Sequence, residues 1–333
     1  MADQKSHPCP DCGGVSRRDF VRVAGGAALV AGTAPLWTLP RAFAAPSYKS
    51  SAETAAARLH GSLSDEQKKT ICFPFEHQLK DRHNANWAIT KPSIRDDFYT
   101  AEQRKTIDEI FRACTSPDGY ERFIKQMDED YGGIESYHVA LFGEPGSGKF
   151  QFEMTGRHHT IRADGDSVEG MAFGGPIVYG HGIETPSENV FHYQTKAANE
   201  VFAALDAGQR KQALLPRAPG EANVPLQGKT GKFPGIAVGE LKADQQELVA
   251  KCVKVILAPY RQEDVDEALE VVKAGGGLDK LHVAFYQNGD LENDKVWDIW
   301  RVEGPTFVVH FRGAPHVHAY INVGTRPAAE KKG

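Results

Sequence analysis

The order of apolar and polar positions divides the chain into helical and strand-like blocks. At Ser64-Asp-Glu-Gln67 a hydroxyl followed by acidic and amide residues has the form of a helix N-cap, and this first helix ends near Pro74. Thr100-Ala-Glu-Gln103 opens a second capped helix, with Ile107, Ile110 and Phe111 at helical spacing as far as Cys114. After a break at Pro117-Asp-Gly119, a third helix covers about 120–130, places Phe123 and Met127 on one side and stops at Gly132-Gly133. The period then changes from helical to alternating. Segments 137–142, 149–154, 157–162, 168–173 and 176–179 are separated by Gly146-Ser-Gly148, Thr155-Gly156 and Ala163-Asp-Gly165. They predict short strands in an antiparallel meander.

Helical patterns return at about 194–205, 209–215, 242–257 and 263–274, the third with Leu248, Cys252, Val255 and Ile256 on one face. A last strand block follows at 282–287, 296–302, 306–311 and 317–323. Two segments predict irregular loops: 75–99, with Arg82-His-Asn84 and Trp87 among turn formers, and the Pro- and Gly-rich 217–235. The fold class expected is α+β, with an antiparallel sheet built from two strand blocks, about 137–182 and 282–323, and helices packed on it. The expected organisation is one α+β domain over 59–325, a tether at 46–58 and a polar tail at 326–333. Two domains parted near 217–235 are the alternative.

Charge and the N-terminus change this picture. Ser16-Arg-Arg-Asp-Phe-Val-Arg22, an apolar run to Leu39 and the small residues Ala42-Phe-Ala44 predict a twin-arginine signal peptide over 1–45. The expected partner is the twin-arginine export machinery and the expected location periplasmic or otherwise exported. The apolar run is interrupted by Gly25, Gly26, Gly32 and Pro35, too short and weak for a stable membrane span after cleavage; an uncleaved anchor is the alternative. Export in the folded state suits a protein that receives a cofactor or metal first. Cys9 and Cys12 lie upstream of the arginine pair and leave with the signal. Cys72, Cys114 and Cys252 remain, an odd and scattered set that is no disulfide scaffold. A net charge of −5 with no basic run argues against nucleic acid as a partner.

The candidate chemistry is histidine. Gly143-Glu-Pro-Gly-Ser-Gly-Lys149 has phosphate-loop spacing, but Phe150 replaces the metal-holding hydroxyl and a strand follows where a helix is needed, so a hairpin turn is expected. His158 and His159 are adjacent, and on a regular strand they point to opposite faces and cannot both ligate one ion. If Thr155-Gly156 is a two-residue turn, His158 shares the polar face with Thr160 and Arg162, opposite Glu153, while His159 lies beside Ile161. His316 and His318 are two apart on an expected strand, so both emerge on one face with Tyr320 next in the row, a pair that chelates zinc or copper. The candidate ligands are therefore His158, His159, His316 and His318, with Glu153 as general base. His310, Arg312, Arg162 and Tyr320 are expected to support these groups or to touch a substrate.

Several segments together resemble a known family. Gly156-Arg-His-His-Thr-Ile161, Gly174-Gly-Pro176, the 241–260 helix, Trp300-Arg-Val-Glu-Gly-Pro305 and His310-Phe-Arg-Gly-Ala-Pro-His-Val-His318 are similar to the exported bacterial family catalogued as domain of unknown function 3500. Its members show a Gly-x-His-His segment and a late His-x-His segment. The resemblance implies that the two segments work together and implies no reaction; which of His158 and His159 faces the site stays open. The expectation is an exported protein with a histidine-rich zinc or copper site, acting as a metal-dependent hydrolase or a copper oxidoreductase on a small molecule. Alternatives are a metal- or small-ligand-binding protein without catalysis, and an envelope protein whose histidines only stabilise loops.

Overall fold

Backbone hydrogen bonding joins both strand blocks in one open sheet. The computed structural model describes residues 45–325; the expected signal peptide, up to residue 44, and the expected tail at 326–333 lie outside the described residues. The strands are β1 (Cys72–Phe73), β2 (His138–Gly143), β3 (Phe150–Gly156), β4 (His159–Ala163), β5 (Ile177–His181), β6 (Leu214–Leu215), β7 (Ile236–Ala237), β8 (His282–Tyr286), β9 (Ile299–Gly304), β10 (Phe307–Arg312) and β11 (Val317–Val323). Their order is β1-β2-β3-β4-β5-β11-β10-β9-β8-β6, with β7 also on β8. Two meanders, β2 to β5 and β8 to β11, meet along the antiparallel β5–β11 pair. The sheet is mixed and not purely antiparallel, because β1 runs parallel to β2 and β6 parallel to β8. Each of those additions is only two residues long and arrives from a helix, a connection that delivers a strand in either sense. The α+β class stands.

Eight α-helices accompany the sheet among the described residues: α1 (Ser51–Ser62), α2 (Asp65–Ile71), α3 (Ala101–Ala113), α4 (Pro117–Tyr131), α5 (His192–Ala204), α6 (Ala207–Ala213), α7 (Ala243–Leu257) and α8 (Gln262–Ala274). The caps at Ser64 and Thr100 form complete capping boxes. Pro117 opens α4 where a break was expected, since Ser116 caps the helix and proline is suited to its first turn. The expected tether is also corrected: 51–58 belongs to α1, which buries Ala52, Ala55, Ala56 and Leu59. Small alanines at helical spacing conceal that apolar face in the sequence. Segment 168–173 forms a turn, a single bridge from Met171 to Gly324 and the start of a 3-10 helix (Ala172–Gly174) in place of a strand. The Gly143–Lys149 segment is the β2–β3 hairpin connection, with Gly143 paired to Phe150 at φ 71°, where any Cβ would collide with Lys149 O. No helix among the described residues is long and apolar enough to cross a membrane.

One sheet face meets helices. Phe111 and Phe123 from α3 and α4 pack their rings on His159 of β4, and Phe123 also reaches Tyr179 of β5. The other face is covered by the two irregular segments, 75–99 and 217–235. There Ala85, Val224 and Leu226 pack on Val178, Val308 and Tyr320, while Trp87 and Ile89 pack on Ala140 and Phe142.

Helices α1 and α8 are tied together by charge. Arg261, the N-cap of α8, makes two hydrogen bonds to Glu53 of α1 (2.6 and 2.8 Å) and reaches Asp264 (3.0 Å). Asp164 and Glu267 lie near this cluster, and burial, followed by the neighbouring carboxylates Asp164, Asp264 and Asp166, pushes the Glu267 carboxyl up to about 8. A carboxyl that holds its proton more tightly when folded stabilises the protein fully below its unfolded pKa, here the ordinary 4.5. That contribution is lost as pH rises through about 8. Glu267→Gln therefore matches wild type near pH 4 and gains on it as pH rises, with a melting temperature higher by about 1–3 °C at pH 9. Thermal scans across pH check this; a gap that does not vary with pH contradicts it.

Candidate metal centre

The turn between β3 and β4 is displaced from the position suggested by Gly156. Gly156 stays in β3, paired with His159, and the connection is Arg157-His158. Gly156 is glycine for packing: a Cβ there would lie 2.3 Å from the Tyr137 ring. His158 takes a left-handed φ of 57° at the second loop position, and its N–H donates to Ala85 O of the covering segment (2.5 Å). This lifts its ring out of the β4 alternation.

His316 and His318 arrive from the second meander. His318 stands in β11 opposite Gly180 of β5 on one side and Arg312 of β10 on the other. Gly180 has no side chain to obstruct the junction; a Cβ would sit 2.2 Å from Val317 O and 3.3 Å from His158 Cβ. The rings of His158, His316 and His318 converge here, with centroids 4.8 to 5.0 Å apart. One ring nitrogen from each lies within 4.8 Å of the others, and the Nε2 atoms of His316 and His318 are 3.0 Å apart. Three nitrogens bonded to one ion at 2.0–2.1 Å in a tetrahedron stand about 3.3 Å apart, so the wider gaps would close on binding.

The far nitrogens of two rings are held by carboxylates. His158 Nδ1 donates to Asp130 Oδ2 (2.6 Å), and Asp130 also accepts from Gln126 Nε2 (2.9 Å) and Gly182 N (2.8 Å). His318 Nδ1 donates to Glu221 Oε2 (3.0 Å), and Arg312 Nε lies 2.9 Å from the same oxygen. Each bond fixes a tautomer with Nε2 bare, the form that ligates a metal. Burial and then His318, His158 and Arg312 push His316 down to about 4, and burial likewise lowers His318. Neutral imidazoles are the ligating state. Burial acts to raise the Asp130 and Glu221 carboxyls, but hydrogen bonds, chiefly from His158 and His318, hold both below their ordinary values.

Other expected site residues lie elsewhere. His159 is fully buried on the opposite face among Phe111, Phe123 and Tyr137, with neither ring nitrogen hydrogen-bonded, and burial drives it to about 3. Glu153 pairs in register with Arg162 and not with His158, because the turn is displaced; Arg162 NH2 lies 3.2 Å from Glu153 Oε1, both completely buried. Glu153 is thereby removed from general-base duty at the histidines. Arg162 also donates to Arg82 O (2.9 Å). His310 sits beside Arg301, 3.5 Å from Nδ1 to Nε, and Tyr320 belongs to the apolar cluster under the covering segments. Of the four supporting residues expected, Arg312 alone joins the centre directly.

Among the described residues, His158, His316 and His318 are the group of His, Cys, Asp or Glu whose ligand atoms converge. The family model of a protein of unknown function, DUF3500, matches residues 47–325. The chain belongs to the DUF3500 family. No curated protein and no solved structure matches it. The DUF3500 match spans both histidine segments, Asp130 and Glu221.

Asp130 and Glu221 escape a reading of periodicity, though each leaves a trace. Asp130 closes a run of three acids at the C-terminal end of α4, whose last turn carries no basic residue. The helix dipole disfavours anions there by roughly 0.3–1 kcal/mol, so acids at that end signal another use. Glu221 is the sole carboxylate in 217–235.

Asp130→Asn keeps the shape and loses the charge, and metal affinity falls about 10- to 100-fold in titration with zinc. An unchanged affinity contradicts the orienting role. His159→Phe leaves zinc affinity unchanged and alters folding stability by no more than about 1 kcal/mol, because two unsatisfied buried nitrogens are removed as ring volume is added. Loss of zinc in this variant would place His159 in the site.

Proposed function

We propose that this DUF3500 protein binds one transition-metal ion, zinc or copper, on Nε2 of His158, His316 and His318, leaving a coordination position open to a small molecule. The observation that supports this best is the convergence of three imidazoles, two of them with their far nitrogens on buried or half-buried carboxylates. Isolated structural histidines have no need of that second layer, whereas metal-ligating histidines regularly carry it. Three protein ligands with an open fourth position are the pattern of catalytic zinc sites, and structural zinc sites close the fourth. An ion bound there supplies Lewis acidity to an oxygen in the open position. The reading is therefore a metal-dependent hydrolase if the ion is zinc, or an oxidoreductase if it is copper.

A second reading, reversible binding of a metal or small ligand without turnover, is favoured by a specific feature. Both carboxylates at the centre are committed to imidazoles, and Glu153 is paired with Arg162, so none of these three stands free as a general base. The N-terminal Ser16-Arg-Arg-Asp-Phe20 pattern supports export through the twin-arginine machinery, with the ion inserted before translocation.

Elemental analysis of protein purified from its native compartment should return about one zinc or copper per chain, and His316→Ala combined with His318→Ala should return none while remaining folded. Metal retained by the double variant, or absent from wild type and not taken up on titration, overturns the reading. Turnover of ester, phosphate or phenol substrates by the loaded protein separates catalysis from binding alone.

A further inference from the structure

The metal reading leaves one charged group unexplained. Arg312 stands directly opposite His318 across the β10–β11 pair and shares Glu221 Oε2 with it, so a guanidinium is held within the outer layer of a cation site. A like charge at that distance weakens cation binding, and a lone carboxylate on His318 would serve orientation better without it. Its Nε forms an ion pair with Glu221 without the alignment of a hydrogen bond, and both Nε and NH2 are buried with no hydrogen-bond partner. A buried guanidinium N–H without an acceptor is costly, and the site retains it. A second guanidinium stands nearby: Arg157 precedes His158 in the turn, its Nε is buried without a partner, and its NH2 flanks Gly182 on the side His158 Cε1 approaches.

Resting on the metal reading above, we propose that the centre takes an anionic substrate, a carboxylate or phosphate group held between the open coordination position and the free N–H of Arg312. The charges fit this ligand. A bound dication and Arg312 together outweigh Asp130 and Glu221 by one positive charge, so a monoanion completes a neutral centre, and Arg157 adds to the attraction. A guanidinium also supplies directed N–H donors that match carboxylate and phosphate oxygens, which an ammonium does not. Arg312 is thus a substrate-binding residue, and Glu221 positions it and His318 with one carboxylate oxygen.

Cobalt(II) substitution gives a visible spectrum for testing this. Cobalt-loaded wild type is titrated with acetate and, separately, with inorganic phosphate, each at fixed ionic strength, alongside Arg312→Met and Arg312→Lys. Wild type should show a saturable spectral change with at least one anion; the tighter of the two names the substrate group. Arg312→Met should bind that anion about 10- to 100-fold more weakly while its cobalt affinity is unchanged or tighter, and Arg312→Lys should fall between. Cobalt uptake reports that each variant is folded at the site. Equal anion affinity in Arg312→Met, or no response to either anion in cobalt-loaded wild type, overturns the anion assignment and leaves the metal reading intact. Failure of wild type to bind cobalt overturns both.

Discussion

Two meanders, each able to form from neighbouring segments of chain, meet along five residue pairs between β5 and β11, and on that seam the candidate site depends. His158 belongs to the first meander, and His316 and His318 to the second. The pairing of His318 with Gly180 sets them at one level along the seam, and the missing side chain at Gly180 leaves room for the His158 ring to cross it. A slip of one residue would turn His318 to the helical face and end the convergence. The helices stabilise this register by burying aromatic rings on one face, including that of His159. The two adjacent histidines of the β3–β4 hairpin thus divide the labour: His159 anchors the core and His158 faces the site.

The face bearing the histidines differs in character from the helical one. It carries buried ion pairs, Glu153 with Arg162 and Arg301 with Glu303, and it is roofed by irregular chain. In that roof, Glu221 pairs with Arg312 and bonds His318, while Asn223 and Gln227 bond Arg301 and Glu303 respectively. Buried ion pairs seldom add much net stability, because desolvation offsets their attraction, but breaking one by removing a partner is costly. Their effect here is to fix which part of the roof lies over which strand. The same stitching brings Glu221 to His318, so roof and site are organised by the same contacts.

Much of this was legible in the chain. Capping residues and helical spacing located α2, α3, α7 and α8, alternation located β2, β3, β4 and the last four strands, and the two-residue spacing of His316 and His318 put both on one face. The turn was misplaced because Gly156 reads as punctuation, although its lack of a side chain serves the Tyr137 ring. That two-residue displacement of the turn is why Glu153 reads as opposite His158 in the sequence and stands opposite Arg162 in the fold. Helix α1 was hidden by its alanines. Asp130 and Glu221 were invisible to periodicity because one lies at a helix end and the other in a loop, and only the fold brings them to imidazoles. No local pattern encodes which edges of two meanders will pair.

A metal function requires that His158, His316 and His318 close on a single ion through Nε2. Crystals of the protein loaded with zinc, with diffraction measured above and below the zinc absorption edge, test this most directly. The predicted result is one anomalous peak about 2.0–2.1 Å from the three Nε2 atoms, with Asp130 and Glu221 still on the Nδ1 atoms of His158 and His318. A peak at any other cluster, or none at the three histidines in zinc-saturated crystals, would contradict the account.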